Sequence, residues 1–259
     1  MATGLVNPYA VAAPNTRYRD AVLADNPKAL WMFDEPYGDN VAVNQGSLGS
    51  AYNGLYSGNV ATDPLYRGSG TIFGLDAMGR DYYNTTTTGL YGSYVNLPGS
   101  VWSGTTQFFP NHTLGNTSWT IECLIRRTWT WVSGRQEWYF NLWHPILIRY
   151  VGNYNYMDIQ STNSTYKAAQ FSGSYNRNVD YHIVWSFDGT YIEHYINGVY
   201  QGAIQWASGY TGMQVTPARA LQVGNGSATT HLRGLIAGVA IHDNVLSQAQ
   251  VTAHYNALL

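Results

Sequence analysis

Alternation of apolar and polar positions is clearest in the last third of the chain. Residues 180–204 contain three short runs rich in β-branched and aromatic side chains, DYHIVWSF, TYIEHYI and VYQGAI. The dipeptides Asp188-Gly189 and Asn197-Gly198 separate them. Both dipeptides suit the positive-φ positions of tight hairpin turns. The pattern therefore predicts three consecutive antiparallel strands.

The same period of two marks strands elsewhere. In Trp119–Arg126, one side carries Trp119, Ile121, Cys123 and Ile125, and the other carries Thr120, Glu122, Leu124 and Arg126. Such alternation is typical of a strand with one buried face. The run ALWMFD at 29–34 predicts another strand, with Trp31 and Phe33 on one face.

The C-terminus carries the start signals of a helix. Ser247 followed by Gln250 forms a capping box, and Leu246 with Val251 forms a hydrophobic staple. The predicted helix then presents one apolar stripe made of Val251, Tyr255 and Leu258.

Many short strands with one terminal helix predict an all-β fold. We expect an antiparallel two-sheet jelly-roll sandwich over residues 18–259, with a short C-terminal helix. Residues 1–17 contain Pro8 and Pro14 and show no periodicity, which indicates an extended N-terminal arm that anchors the domain in an assembly.

Composition narrows the function. The 259 residues are 45% apolar but only 11% charged, with a net charge of −2, so binding of nucleic acid through phosphate neutralisation is disfavoured. Cys123 is the only cysteine, which excludes an intrachain disulfide. Neither a secretory leader nor an apolar run long enough to span a membrane is recognisable, so no membrane insertion is expected. A polar, charge-poor surface suits binding loops and assembly subunits.

Four stretches in order resemble the laminin-G-like, concanavalin-A-like jelly-roll domains common in bacterial and phage surface proteins. They are LADNPKALWMFDE at 23–35, NQGSLGSAYNGLYSG at 44–58, DYHIVWSFDGTYIEHYINGVYQG at 180–202 and LRGLIAGVAIHDNVLSQAQVTAHYNA at 232–257. The resemblance implies the sandwich fold. It does not settle function, because this fold hosts lectins, glycosidases and structural modules.

The resemblance also implies a structural calcium in many members, held by loop carboxylates. Here Asn44 stands where the family has an aspartate, and Ala237-Gly238 stands where it has an Asp-Glu pair. Since calcium prefers several charged oxygen ligands, we expect the site to be lost or weak, with no cofactor and no other metal.

The sequence offers little for catalysis. Glycosidases of this fold need two carboxylates close together on one strand face, whereas Glu122, Glu137 and Glu193 each stand alone. The histidines lack metal-ligand spacing, and His182 with His194 is predicted to form a cross-strand polar pair. We therefore expect no enzymatic activity.

Aromatic residues between 129 and 156 are the candidate binding site. Sugar rings have apolar faces that stack on aromatic rings, and exposed aromatic patches mark ligand sites or subunit contacts. The candidates for glycan binding or an interface are Trp129, Trp131, Trp138, Tyr154 and Tyr156. The alternative is that these rings belong to the core or to a subunit interface.

Together these patterns predict a non-enzymatic bacteriophage virion protein, a minor tail protein or a capsid decoration. It would be made in the host cytoplasm and be extracellular after release. Its partners would be other virion subunits, cell-surface glycans and further copies of itself. Two alternatives stay open, a carbohydrate-binding module and a glycoside hydrolase.

Overall fold

The structure, a computed structural model, describes residues 16–36, 39–57, 67–80, 94–96, 118–128, 136–141, 146–152, 154–160, 166–173, 175–206, 222–223 and 234–259. Two helices, α1 (Thr16–Ala24) and α2 (Gln248–Asn256), flank the strands. The strands in chain order are β1 (Ala29–Trp31), β2 (Val41–Ala42), β3 (Gly54–Ser57), β4 (Arg67–Ile72), β5 (Leu75–Arg80), β6 (Tyr94–Asn96), β7 (Trp119–Arg127), β8 (Gln136–Asn141), β9 (Ile146–Val151), β10 (Tyr154–Gln160), β11 (Tyr166–Ser172), β12 (Asp180–Phe187), β13 (Tyr191–Ile196), β14 (Val199–Gln205), β15 (Gln222–Val223) and β16 (Gly234–His242).

These strands form two antiparallel sheets, which confirms the predicted all-β sandwich. The sheet we call the back sheet has the order β14-β13-β12-β7-β16-β5-β4, with β1 also paired to β16. The front sheet has the order β11-β10-β9-β8-β15-β6-β3-β2. Helix α1 begins at Thr16, inside the predicted arm, while residues 1–15 lie outside the described residues. The arm stays a prediction.

Both predicted hairpin turns are present. Asn197 and Gly198 have φ values of 51° and 75°, and Gly189 has a φ of 96°. The Asp188 carboxylate accepts hydrogen bonds from the backbone N–H groups of Thr190 and Tyr191, at 2.7 and 2.6 Å. These turns set the register that pairs β12 with β13 and β13 with β14.

The space between the sheets is filled mainly by aromatic and aliphatic side chains. One face of β7 contributes Trp119, Ile121, Cys123 and Ile125 to this core, as its alternation predicts. The opposite face is also buried, because α1 and α2 cover the outer side of the back sheet. Strand β7 is therefore buried on both faces, and the expected half-buried strand is wrong in that respect.

Helix α2 docks as its sequence signals predict. The Ser247 side chain and Gln250 form the capping box, and Leu246 with Val251 is buried in one cluster against Val184 and Tyr195. On the same outer side of the back sheet, α1 inserts Tyr18 and Val22 into a second cluster. Within the described residues, neither helix is long and apolar enough to cross a membrane.

Candidate functional site

The outer face of the front sheet presents an aromatic surface on β9 and β10. Tyr156 lies opposite Arg149 of β9 and Gln170 of β11 in the strand register, and Tyr154 lies opposite Ser172. Asn155, between the two tyrosines, and Met157, after them, are buried, so the alternation directs both tyrosines outward. We call Arg149, Tyr154 and Tyr156 the tyrosine platform.

Within the platform the three side chains touch. The two tyrosine rings meet edge to face, with centroids 6.2 Å apart, and the Arg149 guanidinium carbon lies 4.9 Å from the centre of the Tyr156 ring. Arg149 covers one side of Tyr156, whereas Tyr154 is 42% exposed. Tyr154 is therefore the ring of this pair that is more open to a ligand.

The predicted site residues have different outcomes. Tyr154 and Tyr156 are brought together as a contacting pair. Trp129 and Trp131 lie outside the described residues. Trp138 belongs to β8, where its Cα pairs with that of Arg149, and its side chain is outside the description. The involvement of all three tryptophans stays a prediction.

Sequence reasoning missed Arg149 and Gln170, although a signal was present. In ILIRYV, Ile146, Ile148 and Tyr150 are buried and Arg149 falls on the alternate face. The antiparallel register that pairs Val151 with Tyr154 places Arg149 opposite Tyr156. If β9 and β10 had been aligned as an antiparallel pair in the sequence, Arg149 would have been recognised as a neighbour of Tyr156.

A second cluster of chemically active residues lies on the outer face of the back sheet. Glu122 is 0% exposed there and contacts three histidines from three different elements. Its carboxylate lies 2.9 Å from His182 Nε2, 3.1 Å from His254 Nδ1 and 3.4 Å from His242 Nε2. His254 also places Nε2 2.9 Å from an oxygen of Asp25. We call these five residues the Glu122 cluster.

Charge compensation explains how Glu122 remains ionised in the core. Burial raises its pKa, but the charge of His254 and hydrogen bonds from all three histidines hold the pKa of Glu122 well below its ordinary value. For His254, burial lowers the pKa, and the opposing effects of Glu122 and Asp25 raise the pKa of His254 above its ordinary value. The two buried charges stabilise each other.

The other two carboxylates singled out in the sequence also have hydrogen-bond partners. Glu137 accepts two hydrogen bonds of 2.9 Å from Arg127, between the sheets. Glu193 accepts one of 2.9 Å from the Tyr195 hydroxyl.

The predicted pairing of His182 with His194 is also wrong. His182 faces Glu122 on the outer side of the back sheet, whereas His194 is in the register position opposite Trp185 and stacks on that ring at 4.0 Å. Burial lowers the pKa of His194 to about 3. The two histidines therefore serve different faces of the sheet.

Residues at the family's calcium positions are used for packing and backbone hydrogen bonds. The Asn44 side-chain oxygen accepts from the N–H groups of Leu30 and Gly46, at 2.9 and 3.0 Å, and its amide donates to the Gly49 carbonyl at 3.0 Å. Gly238, at φ 53°, accepts from the Tyr18 hydroxyl at 3.2 Å. Across the described ranges, no three acidic, histidine or cysteine side chains are arranged to hold a metal ion.

Comparison with known families adds to this geometry. Residues 99–252, more than half of the chain, match the Laminin_G_3 family, described as the concanavalin A-like lectin/glucanases superfamily. No curated protein matches the chain by sequence.

Solved structures of botulinum neurotoxin binding domains have a similar fold. The serotype D binding domain gives a TM-score of 0.59 at 13% identity, covering 91% of this chain and 52% of that one. The binding domain of neurotoxin DC in complex with rat synaptotagmin II gives 0.59 at 12%, with 91% and 52% covered. A structure of botulinum neurotoxin type C, whose cell entry is described as dependent upon interaction with two ganglioside molecules, gives a TM-score of 0.57 at 12% identity. The match covers 92% of this chain and 53% of that one. This chain thus spans about half the length of these structures, and at such identities the likeness shows the fold alone.

Proposed function

The chain belongs to the concanavalin A-like lectin/glucanase superfamily, and from that premise we propose that it is a non-enzymatic attachment domain that binds host-surface glycans through the tyrosine platform. The proposed setting is a bacteriophage virion, as a minor tail protein or capsid decoration. In that setting the protein is made in the host cytoplasm and acts outside the cell after release.

The observation that carries the glycan proposal is the open Tyr154 ring beside a guanidinium. A pyranose ring can stack its C–H face on Tyr154, while the Arg149 guanidinium, 4.9 Å from the centre of the neighbouring Tyr156 ring, supplies hydrogen-bond donors to sugar hydroxyls. Gln170 sits across from Tyr156 in the register and adds an amide on the same face. An exposed aromatic patch bordered by polar groups marks a ligand site or an interaction surface.

The carboxylates support a binding role over hydrolysis. Glu122 is sealed beneath α2 and held by three histidines, and Glu137 is buried against Arg127. Glycoside hydrolysis needs two carboxyl groups that reach the same glycosidic bond from opposite sides. Neither of these glutamates reaches the outer face of the front sheet, where the platform lies.

Two observations support assembly into a larger particle. Only 11% of residues are charged, so the surface carries little charge repulsion against neighbouring subunits. The edge strand β14 exposes Val199 and Tyr200, at 61% and 45%, and an apolar edge of this kind fits contact with another subunit.

A glycan array probed with the purified wild-type protein and two variants tests the binding proposal. We expect Tyr154→Ala to lose at least tenfold in affinity, as is usual when a central aromatic contact is removed. Tyr191→Ala is the matched control, since Tyr191 is 41% exposed on the back sheet, and it should retain wild-type binding. Equal loss in both variants, or no glycan bound by the wild type, contradicts the proposal.

Separate measurements test the setting and the absence of catalysis. Mass spectrometry and immuno-electron microscopy of purified particles should find the protein as a stoichiometric component on the outside of the virion. Any glycan bound on the array should release no reducing sugar on prolonged incubation. Absence from particles would overturn the virion role, and turnover would overturn the non-enzymatic one.

A further inference from the structure

One histidine of helix α2 bridges two carboxylates, one on the back sheet and one in the segment after α1. His254 Nδ1 lies 3.1 Å from Glu122 Oε2, and His254 Nε2 lies 2.9 Å from Asp25 Oδ2. A carboxylate accepts hydrogen bonds, so each ring nitrogen must donate. Both nitrogens carry protons only in the imidazolium form. The geometry therefore specifies a charged His254 in the docked helix.

We propose that His254, Glu122 and Asp25 form a pH-dependent latch, which keeps the C-terminal helix docked at mildly acidic pH and loosens it as the pH rises. Loss of one proton from His254 leaves a ring nitrogen facing a carboxylate oxygen with no hydrogen between them. This repulsion replaces an attraction inside a buried site, where charges are weakly screened. Helix α2 then relaxes away from the sheet.

Every element that packs around His254 contributes to its electrostatic environment. Strand β7 supplies Glu122, the segment after α1 supplies Asp25, and β16 supplies His242, whose ring lies 6.2 Å from that of His254. Strand β12 supplies His182, which also bonds Glu122. Tyr18 of α1 and Tyr255 of α2 each pack against the His182 ring. The two carboxylates are the groups that touch His254 itself.

The direction of the pH effect follows from the pKa shifts. The pKa of His254 is raised in the folded protein, so its contribution to docking is complete below its ordinary value of 6.5 and is lost as the pH rises through the folded value. The pKa of Glu122 is lowered, so its contribution is complete above 4.5 and is lost as the pH falls through its lower folded value. Docking is therefore strongest between about pH 4.5 and 6.5.

Loosening α2 affects the strands beneath it. The Thr252 hydroxyl donates to the Gly198 carbonyl at 3.2 Å, so the helix also fixes the turn between β13 and β14. Undocking would uncover Val184 and Tyr195, which pack against Val251. The latch thus controls exposure of an apolar surface on the opposite side of the molecule from the tyrosine platform, and it does not depend on glycan binding.

Nitrogen-15 NMR of the histidine rings in the wild-type protein tests the latch directly. We expect the His254 ring to show two protonated nitrogens at pH 6.5 and to lose one at a distinctly higher pH. A His254 ring with one unprotonated nitrogen at pH 6.5 would overturn the proposal. This measurement does not depend on any variant folding.

Hydrogen exchange of the α2 amides between pH 6 and 9, corrected for intrinsic rates and compared with β12 amides, tests the consequence. Above the folded pKa, protection in α2 should fall by up to tenfold per pH unit, the limit for one coupled proton. His254→Gln should abolish that slope. Ser247→Ala, which removes only the cap, should lower protection by about fivefold at every pH and keep the slope. Wild-type protection that does not change with pH, or the same slope in His254→Gln, would refute the latch.

Discussion

The outer faces of the two sheets use polar side chains in opposite ways. On the back sheet, Glu122 and its histidines are sealed beneath α1 and α2, and each contact is within the protein. On the front sheet, the outer face at β9–β11 carries exposed side chains, with Tyr154 and Gln170 open to solvent. In this comparison, the glutamate and histidines are buried and stabilise the fold, whereas the accessible surface is formed by a tyrosine and a glutamine, which have little intrinsic reactivity.

This difference shows that the chemical type of a residue does not by itself identify a functional site. It must also be known whether another element of the fold covers that residue. A glutamate flanked by histidines suggests acid–base chemistry, yet the Glu122 cluster is closed by the helix that completes it. Desolvation strengthens its internal hydrogen bonds and makes any unpaired member costly. The platform gains little stability from the contacts among its residues, because exposed contacts are worth little.

Removing the carboxylate of Glu122, the centre of the Glu122 cluster, should give the largest loss of stability. Glu122→Leu removes one of the two carboxylates that compensate the buried charge of His254 and leaves His182 and His242 without their acceptor. Breaking a buried ion pair from one side costs about 3–5 kcal/mol. Urea denaturation at pH 6, where His254 is charged, measures the loss. Arg149→Leu changes one charge on the open face and should cost less than about 0.5 kcal/mol. Similar losses in the free energy of unfolding for the two variants would contradict the difference between the buried cluster on the back sheet and the exposed platform on the front sheet.

Removing the apolar contact beneath α2 should have the next largest effect. Val251 is buried against Val184 and Tyr195, so Val251→Ala should lower the free energy of unfolding by about 2 kcal/mol. Asn256→Ala, on the exposed side of the same helix, should stay within about 0.5 kcal/mol. Equal denaturation midpoints for both variants and the wild type would show that the helix cover contributes nothing to the back sheet.

Local signals predicted the architecture well, and the reason is physical. Hairpin turns depend on two adjacent residues, as at Asn197 and Gly198, and a capping box depends on residues three apart, as at Ser247 and Gln250. Those interactions are short in sequence and can be read from it. The alternation of β7 was also correct. Its second face gave no sign of burial in the sequence, because the helices that cover it, α1 and α2, lie far from β7 along the chain.

The candidate sites were harder to predict because their members meet only after long-range folding. Glu122 and His254 are separated by 132 positions. The predicted apolar stripe of α2 consisted of Val251, Tyr255 and Leu258, whereas the buried residues of the helix are Val251 and His254. The prediction from sequence did not include His254. Tyr154 and Tyr156 were candidates because the segment 129–156 is rich in aromatic residues. Their exposure could not be derived from sequence, since it depends on which sheet face lacks a cover.

A smaller loss of stability is expected when Asn44, which stands where the family has an aspartate, is replaced. Asn44→Asp keeps the acceptor for Leu30 and Gly46 but replaces the amide that donates to the Gly49 carbonyl, which should cost about 1 kcal/mol. Melting curves with calcium and with EDTA should coincide for the wild type. A rise of many degrees with calcium in the wild type would contradict the assignment of Asn44 as a structural amide, because a bound ion stabilises the folded state by mass action.

The smallest change in stability is expected at the platform, and it gives the sharpest test of the comparison. Tyr154 is 42% exposed and meets the Tyr156 ring edge to face, so Tyr154→Ala should alter the free energy of unfolding by less than about 0.5 kcal/mol. Its affinity for any glycan bound by the wild type should nevertheless fall at least tenfold, as expected for a ring at the centre of a binding surface.

Glu122→Gln is the complementary variant, since it should weaken α2 docking and leave glycan affinity at the wild-type level at a temperature where the protein is folded. Paired denaturation and binding measurements on the two variants separate the faces. A loss of binding in Glu122→Gln, or marked destabilisation in Tyr154→Ala, would show that the front and back faces act as one unit.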